Sequence, residues 1–222
     1  MELVLFYFSI FFIYSFIGWI IEMIVENFIL EHEFANRGFL IGPYCPVYGV
    51  ASILMMLLLS RYSNDILVLF FMSVIICTVV EYFTSWLLET IFKARWWDYH
   101  DFPFNINGRI CLINSIGFGI LGVLLIKILN PSVVWLFSKI NPIIFNIISF
   151  LLLLLFIFDI IFSFNIIKKI KVSASSLKKD NTNTFSNKVK TELGSKSIFI
   201  KRILTAFPDL AYNLIKKSKN RS

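Results

Sequence analysis

The chain has 222 residues, 58% of them hydrophobic and only 16% charged, a composition too apolar for a soluble globular domain. Its apolar runs are continuous, which excludes an outer-membrane barrel built from alternating segments of about ten residues. The net charge of +7 conceals a division: residues 1–167 carry 7 Lys/Arg against 11 Asp/Glu, and residues 168–222 carry 14 against 3. The basic character therefore belongs to a tail, whose expected partner is an anionic membrane surface and not nucleic acid.

A helix needs about 20 apolar residues to cross a hydrocarbon core of about 30 Å. Several segments meet that length, so the expected fold class is all-α: a polytopic membrane bundle of about five transmembrane helices. The expected domains are a transmembrane body over 1–167, a disordered basic linker over 168–197 and an amphipathic helix over 198–222.

The first span runs from Leu3 to about Val25 and has neither the basic start nor the small-residue cleavage site of a signal peptide. Glu22 and Glu26 close it on one helical face. The loop that follows holds Asn36-Arg37-Gly38-Phe39-Leu40-Ile41-Gly42-Pro43, whose glycines and proline predict a tight, defined turn. A second span, Cys45 to Leu59, is short unless the Pro43–Pro46 segment dips into the membrane edge. The third, Ile66 to Ile91, holds Glu81 and Glu89.

Next comes the most polar stretch of the body, Arg95 to Arg109, in which Trp96, Trp97, Asp98, Tyr99, His100, Asp101 and Asn105 are interleaved. A plain connecting loop does not need that mixture. The fourth span is Ile110 to Leu129, after which Pro131 and Pro142 bracket a connector over Ser132–Asn141, for which an interfacial helix is one expectation. The fifth, Ile143 to about Ile167, is interrupted by Asp159. In the tail, apolar residues from Ile198 to Lys217 recur at helical spacing beside lysines, as in a helix lying on a membrane surface.

With the tail cytoplasmic and five spans, the N-terminus lies outside and both motif loops face the cytoplasm. Phe16-x-x-Trp19-Ile20-Ile21-Glu22 and Phe83-x-x-Trp86-Leu87-Leu88-Glu89 share a pattern, so spans one–two and three–four are candidates for a parallel two-fold repeat. At about 1.5 Å per residue, Glu81 lies roughly 22 Å into its span and Asp159 roughly 24 Å into its own. Each such charge costs on the order of 3 kcal/mol to insert, so it must pair, face water or be protonated.

These residues define the candidate site: Glu22, Arg37, Glu81, Glu89, Arg95, Trp96, Trp97, Asp98, Tyr99, Asn105 and Arg109. The acids and arginines either neutralise one another and pin the loops, or line a polar cavity for a substrate or a proton. The aromatics act as interfacial anchors or as a stacking platform. Arg37, Arg95 and Arg109 also suit a lipid phosphate. No cofactor is called for: Asp98, His100 and Asp101 lack a recognised metal spacing, and Cys45, Cys77 and Cys111 form neither a CxxC motif nor an even set. There is no G-x-x-x-x-G-K-[ST], G-x-S-x-G or H-E-x-x-H pattern, so ATP-driven work requires a separate ATP-binding subunit.

Phe16-x-x-Trp19-x-x-Glu22, Asn36-Arg37-Gly38-Phe39-Leu40-x-Gly42-Pro43, Pro46-x-Tyr48-Gly49, Glu81-Tyr82, Glu89, and Arg95-Trp96-Trp97-Asp98-Tyr99 through Pro103-Phe104-Asn105 to Gly108-Arg109-Ile110-Cys111-Leu112 together resemble the CmpB-like family of bacterial type IV ABC-transporter permeases. The resemblance covers about residues 5–130 and implies a permease-like integral membrane protein partnered by an ATP-binding subunit. The leading expectation is thus a component of a transport system, able to form a homo-oligomer. The alternatives are a membrane enzyme acting on a lipid or lipid-linked substrate, and a non-catalytic membrane scaffold.

Overall fold

A computed structural model describes residues 2–28, 40–92 and 95–176, with side chains described for 2–25, 40–92 and 95–168. The order is α1 (Glu2–Phe28), α2 (Pro46–Leu59) with a 3-10 turn (Ser60–Tyr62), α3 (Ile66–Phe92), α4 (Leu112–Leu124), a π turn (Leu125–Leu129), α5 (Asn130–Ser138) and α6 (Pro142–Ser176). Among the described residues, four stretches are long and apolar enough to cross a membrane: Glu2–Val25, Ile66–Phe92, Leu112–Ser138 and Pro142–Lys168. The fifth apolar helix, Pro46–Tyr62, is the short one that the sequence anticipates. This all-α bundle follows from the solvent, because backbone N–H and C=O groups in hydrocarbon have to be satisfied within the segment.

The chain divides into two compact units, one formed by residues 1–18, 44–84 and 98–156, the other by 19–43, 85–97 and 157 onward. In the first, Ile10 and Tyr14 of α1, Met55 of α2, Leu69 and Cys77 of α3 and Leu125 of the π turn belong to one buried cluster. Small and hydroxylic residues let the backbones approach. A side chain at Gly49 would run into the carbonyl of Phe11 and the hydroxyl of Ser15. Ser15 turns its own hydroxyl onto the Phe11 carbonyl (2.7 Å), and Ser9 bonds Ser149 (2.7 Å) between α1 and α6. In the second unit the Phe92 ring stands 5.7 Å from Trp96 and 5.1 Å from Phe164.

The two helix pairs share more than a sequence pattern. α1 and α3 each have 27 residues. α2 and α4 each start after an extended cysteine N-cap, Cys45 and Cys111. Trp19 and Trp86 are 67 positions apart, and the two cysteines 66. At matching positions, Phe11 meets Gly49 in the first pair, and Thr78 donates to Ser115 at 3.0 Å in the second.

Two boundaries differ from expectation. Pro131 does not end the fourth span: helix continues to Ser138, and the connector shrinks to residues 139–141. Proline lacks an N–H and crowds the carbonyl four residues back. The π turn just before it, closed by the Asn130 N–H on the Leu125 carbonyl, absorbs that misfit without breaking the helix. α6 also passes the expected boundary at 167 and runs to Ser176. The rest of the expected linker and the amphipathic helix over 198–222 lie outside the described residues.

Candidate functional site

The first motif segment, from Leu40 to Cys45, is non-helical, and Leu40, Tyr44 and Cys45 are buried. The Cys45 N–H donates to the carbonyl of Ser15 at 2.8 Å. Ser15 stands 13 residues from either end of α1, so at 1.5 Å per residue α2 starts about 20 Å along its neighbour. Cys45 therefore lies beside the middle of the apolar stretch Glu2–Val25, far from either of its ends. Irregular backbone at such depth persists only where protein or an aqueous cavity satisfies it.

Asp159 of α6, 7% exposed, supplies that satisfaction within the second unit. Its Oδ1 accepts the Ile41 N–H at 3.0 Å and its Oδ2 the Gly42 N–H at 2.8 Å. One turn on, the Ser163 hydroxyl donates to Oδ1 at 2.8 Å and also takes a longer, 3.3 Å bond from the Ile41 N–H. A carboxyl that is costly in hydrocarbon is thus spent on two backbone donors that would be equally costly unpaired.

The second motif stretch is folded largely by its own side chains. Asn105 donates to the carbonyls of Phe102 (2.9 Å) and His100 (3.1 Å) and accepts the Gly108 N–H (3.0 Å). The Tyr99 N–H donates to the Gly108 carbonyl at 2.8 Å, and Ile106 and Ile110 form an isolated antiparallel bridge. Asp98 accepts from the His100 backbone at 3.1 Å and pairs with its imidazole Nδ1. Within this stretch three residues have positive φ: Phe104 (53°), Asn107 (54°) and Gly108 (65°). Gly108 fits its place because a side chain there would strike the His100 ring and Asp98. A phenylalanine in the left-handed region is uncommon and costs of the order of 1–3 kcal/mol, which the surrounding bonds must hold.

Every sequence-predicted site residue except Arg37 falls among the described residues. In the second unit, Glu89 pairs with Arg95 at 3.4 Å, both side chains partly exposed, and Trp96 is buried on Phe92. Glu22 and Trp97 belong to the same unit. In the first unit, Glu81 is 6% exposed on α3, one turn from Cys77. Asp98, Tyr99 and Asn105 shape the loop, and Arg109 lies over the Tyr82 ring at 5.5 Å while Asn107 donates to the Tyr82 hydroxyl at 3.0 Å. Arg37 lies outside the described residues. Among the described residues no group of three or more His, Cys, Asp and Glu is placed to hold a metal ion. No disulfide joins Cys45, Cys77 and Cys111.

Asp159 and Ser163 are the positions that sequence reasoning leaves without a role. The available signal is a lone aspartate in an apolar run, whose cost demands partners, with a serine one turn further along the same face.

A family model described as "Putative ABC-transporter type IV" matches residues 9–164. The chain belongs to this family. The matched range takes in both motif segments and Asp159, and the C-terminal tail lies beyond it. No curated protein and no solved structure matches the chain.

Proposed function

We propose that the protein is a permease-like membrane component of a transport system, driven by a separate ATP-binding subunit because the chain has no nucleotide-binding pattern of its own. The observation that carries this reading is the irregular Leu40–Cys45 segment, whose Cys45 N–H reaches the Ser15 carbonyl midway along α1 and whose Ile41 and Gly42 amides are taken by Asp159. Irregular backbone leading into a short apolar helix is akin to the discontinuous helices with which many transporters build a site near the midplane. Glu81, buried on α3 within the first unit, is the carboxyl we assign to the path. The N-terminus is outside and the basic tail cytoplasmic, lying on anionic lipid.

A scaffold reading has one observation in its favour: Glu89, Arg95 and Asn105 use their polar groups to brace the protein itself. Affinity purification from native membranes separates the two. The transport reading expects an ATPase to co-purify, and its ATP hydrolysis in reconstituted vesicles to fall with Glu81→Gln while the folded yield is unchanged. A preparation with no ATPase, from cells in which Glu81→Gln is silent, would sink it.

A further inference from the structure

The tip of the 98–110 loop exposes apolar side chains that the transport reading does not use. Phe104 is 80% exposed, Ile106 55% and Phe102 40%. Phe104 is turned outward by a left-handed backbone that Asn105 locks from both sides. We propose that this tip is a built membrane anchor, with Phe102, Phe104 and Ile106 seated at the boundary between the headgroups and acyl chains of phospholipid.

Several observations favour lipid over a protein partner. The loop runs without a break into α4, whose first residues Leu112, Ile113 and Ile116 are themselves exposed on a stretch fit to cross the membrane. The apolar tip thus continues a surface that already faces lipid. The loop does not project away from the bundle: Asn107 and Arg109 fasten it to Tyr82, ten residues inside the C-terminal end of α3. Its turns are closed by internal hydrogen bonds, as irregular backbone needs where water is scarce. Tyr82 and Arg109 are the residue types found at headgroup level, and a guanidinium suits a phosphodiester. Asp98, His100 and Asp101 are exposed on the preceding turn, where they stay in water.

Depth measurement by spin labelling tests this. Single cysteines would replace Phe104, Ile106 and Asp101 in the full chain, with Cys45, Cys77 and Cys111 changed to Ser. The protein would be reconstituted in phosphatidylcholine–phosphatidylglycerol vesicles and its accessibility to oxygen and to a nickel chelate measured. The expected result is an oxygen-to-nickel ratio several-fold higher at 104 and 106 than at 101. Equal ratios at the three sites place the tip in water and overturn the proposal. Low accessibility to both agents at 104 and 106 means that protein covers the tip, and overturns it equally. Should the cysteine-free background fail to fold, Phe104→Trp in the native background gives a second reading. Its added fluorescence should be quenched by lipids brominated near the headgroup end of the chain; quenching by aqueous iodide alone refutes the anchor.

Discussion

The two motif segments sit at matching places in the two helix pairs and are held in opposite ways. Leu40–Cys45 owes its shape to distant groups: the carboxyl of Asp159, 118 residues from Ile41, and the carbonyl of Ser15. The 98–110 loop is tied by bonds among its own residues, with Asn105 as the hub. A segment held from outside can be released by one change in another helix. A self-tied loop depends less on its neighbours, which here hold it through Tyr82. On the transport reading proposed above, the first is therefore the better candidate for a part that moves, and the second for a fixed platform.

Removing the distant clasp gives the largest effect. Asp159→Ala leaves the part-buried Gly42 amide without its acceptor and the Ile41 amide with only its longer bond to Ser163, at about 1–3 kcal/mol for an unpaired donor, so a loss of about 3 kcal/mol is expected in reversible unfolding from mixed detergent micelles. Asp159→Asn keeps one carbonyl oxygen and should lose roughly half as much. An unchanged midpoint for Asp159→Ala would mean that the Ile41 and Gly42 amides find other partners, and the contrast between the segments would collapse.

This clasp also marks where sequence reading stops. Apolar run length predicts the helices, since a segment in hydrocarbon has few alternatives, and the shared Phe-x-x-Trp pattern lies on α1 and α3, two helices of equal length. Asn105 and Gly108 belong to a polar stretch that stands out locally, and their partners lie within a few residues. Asp159 is visible as an anomaly, but its partners are backbone amides far along the chain, and no side-chain pattern announces a backbone donor. Pro131 misleads for the converse reason. The local rule predicts a break, while a π turn one step earlier, invisible in the residue types, lets the helix pass.

The self-tied loop should respond locally. Gly108→Ala puts a side chain at φ 65° and against His100 and Asp98, at a cost of about 2 kcal/mol. Hydrogen–deuterium exchange should rise over residues 98–110 and stay unchanged over 40–45. Asn105→Ala removes three hydrogen bonds from a half-exposed site, where water replaces part of the loss, so about 1 kcal/mol and a smaller rise over the same residues are expected. Exchange spreading from either variant to 40–45 would show that the two segments are coupled after all.

The smallest effect belongs to the Glu89–Arg95 pair, which ties the end of α3 to the start of the second stretch. Its 3.4 Å contact joins side chains 18% and 24% exposed, closer to a surface ion pair than to a buried one. Such pairs contribute about 0.2–1 kcal/mol. A double-mutant cycle of Glu89→Gln with Arg95→Gln should return a coupling in that range, weakening as salt is raised toward 1 M. A coupling that instead exceeds about 2 kcal/mol and ignores salt would mark a desolvated pair. The Arg95 end of the second stretch would then be anchored from outside, as the first segment is, and only residues 98–110 would count as self-supporting.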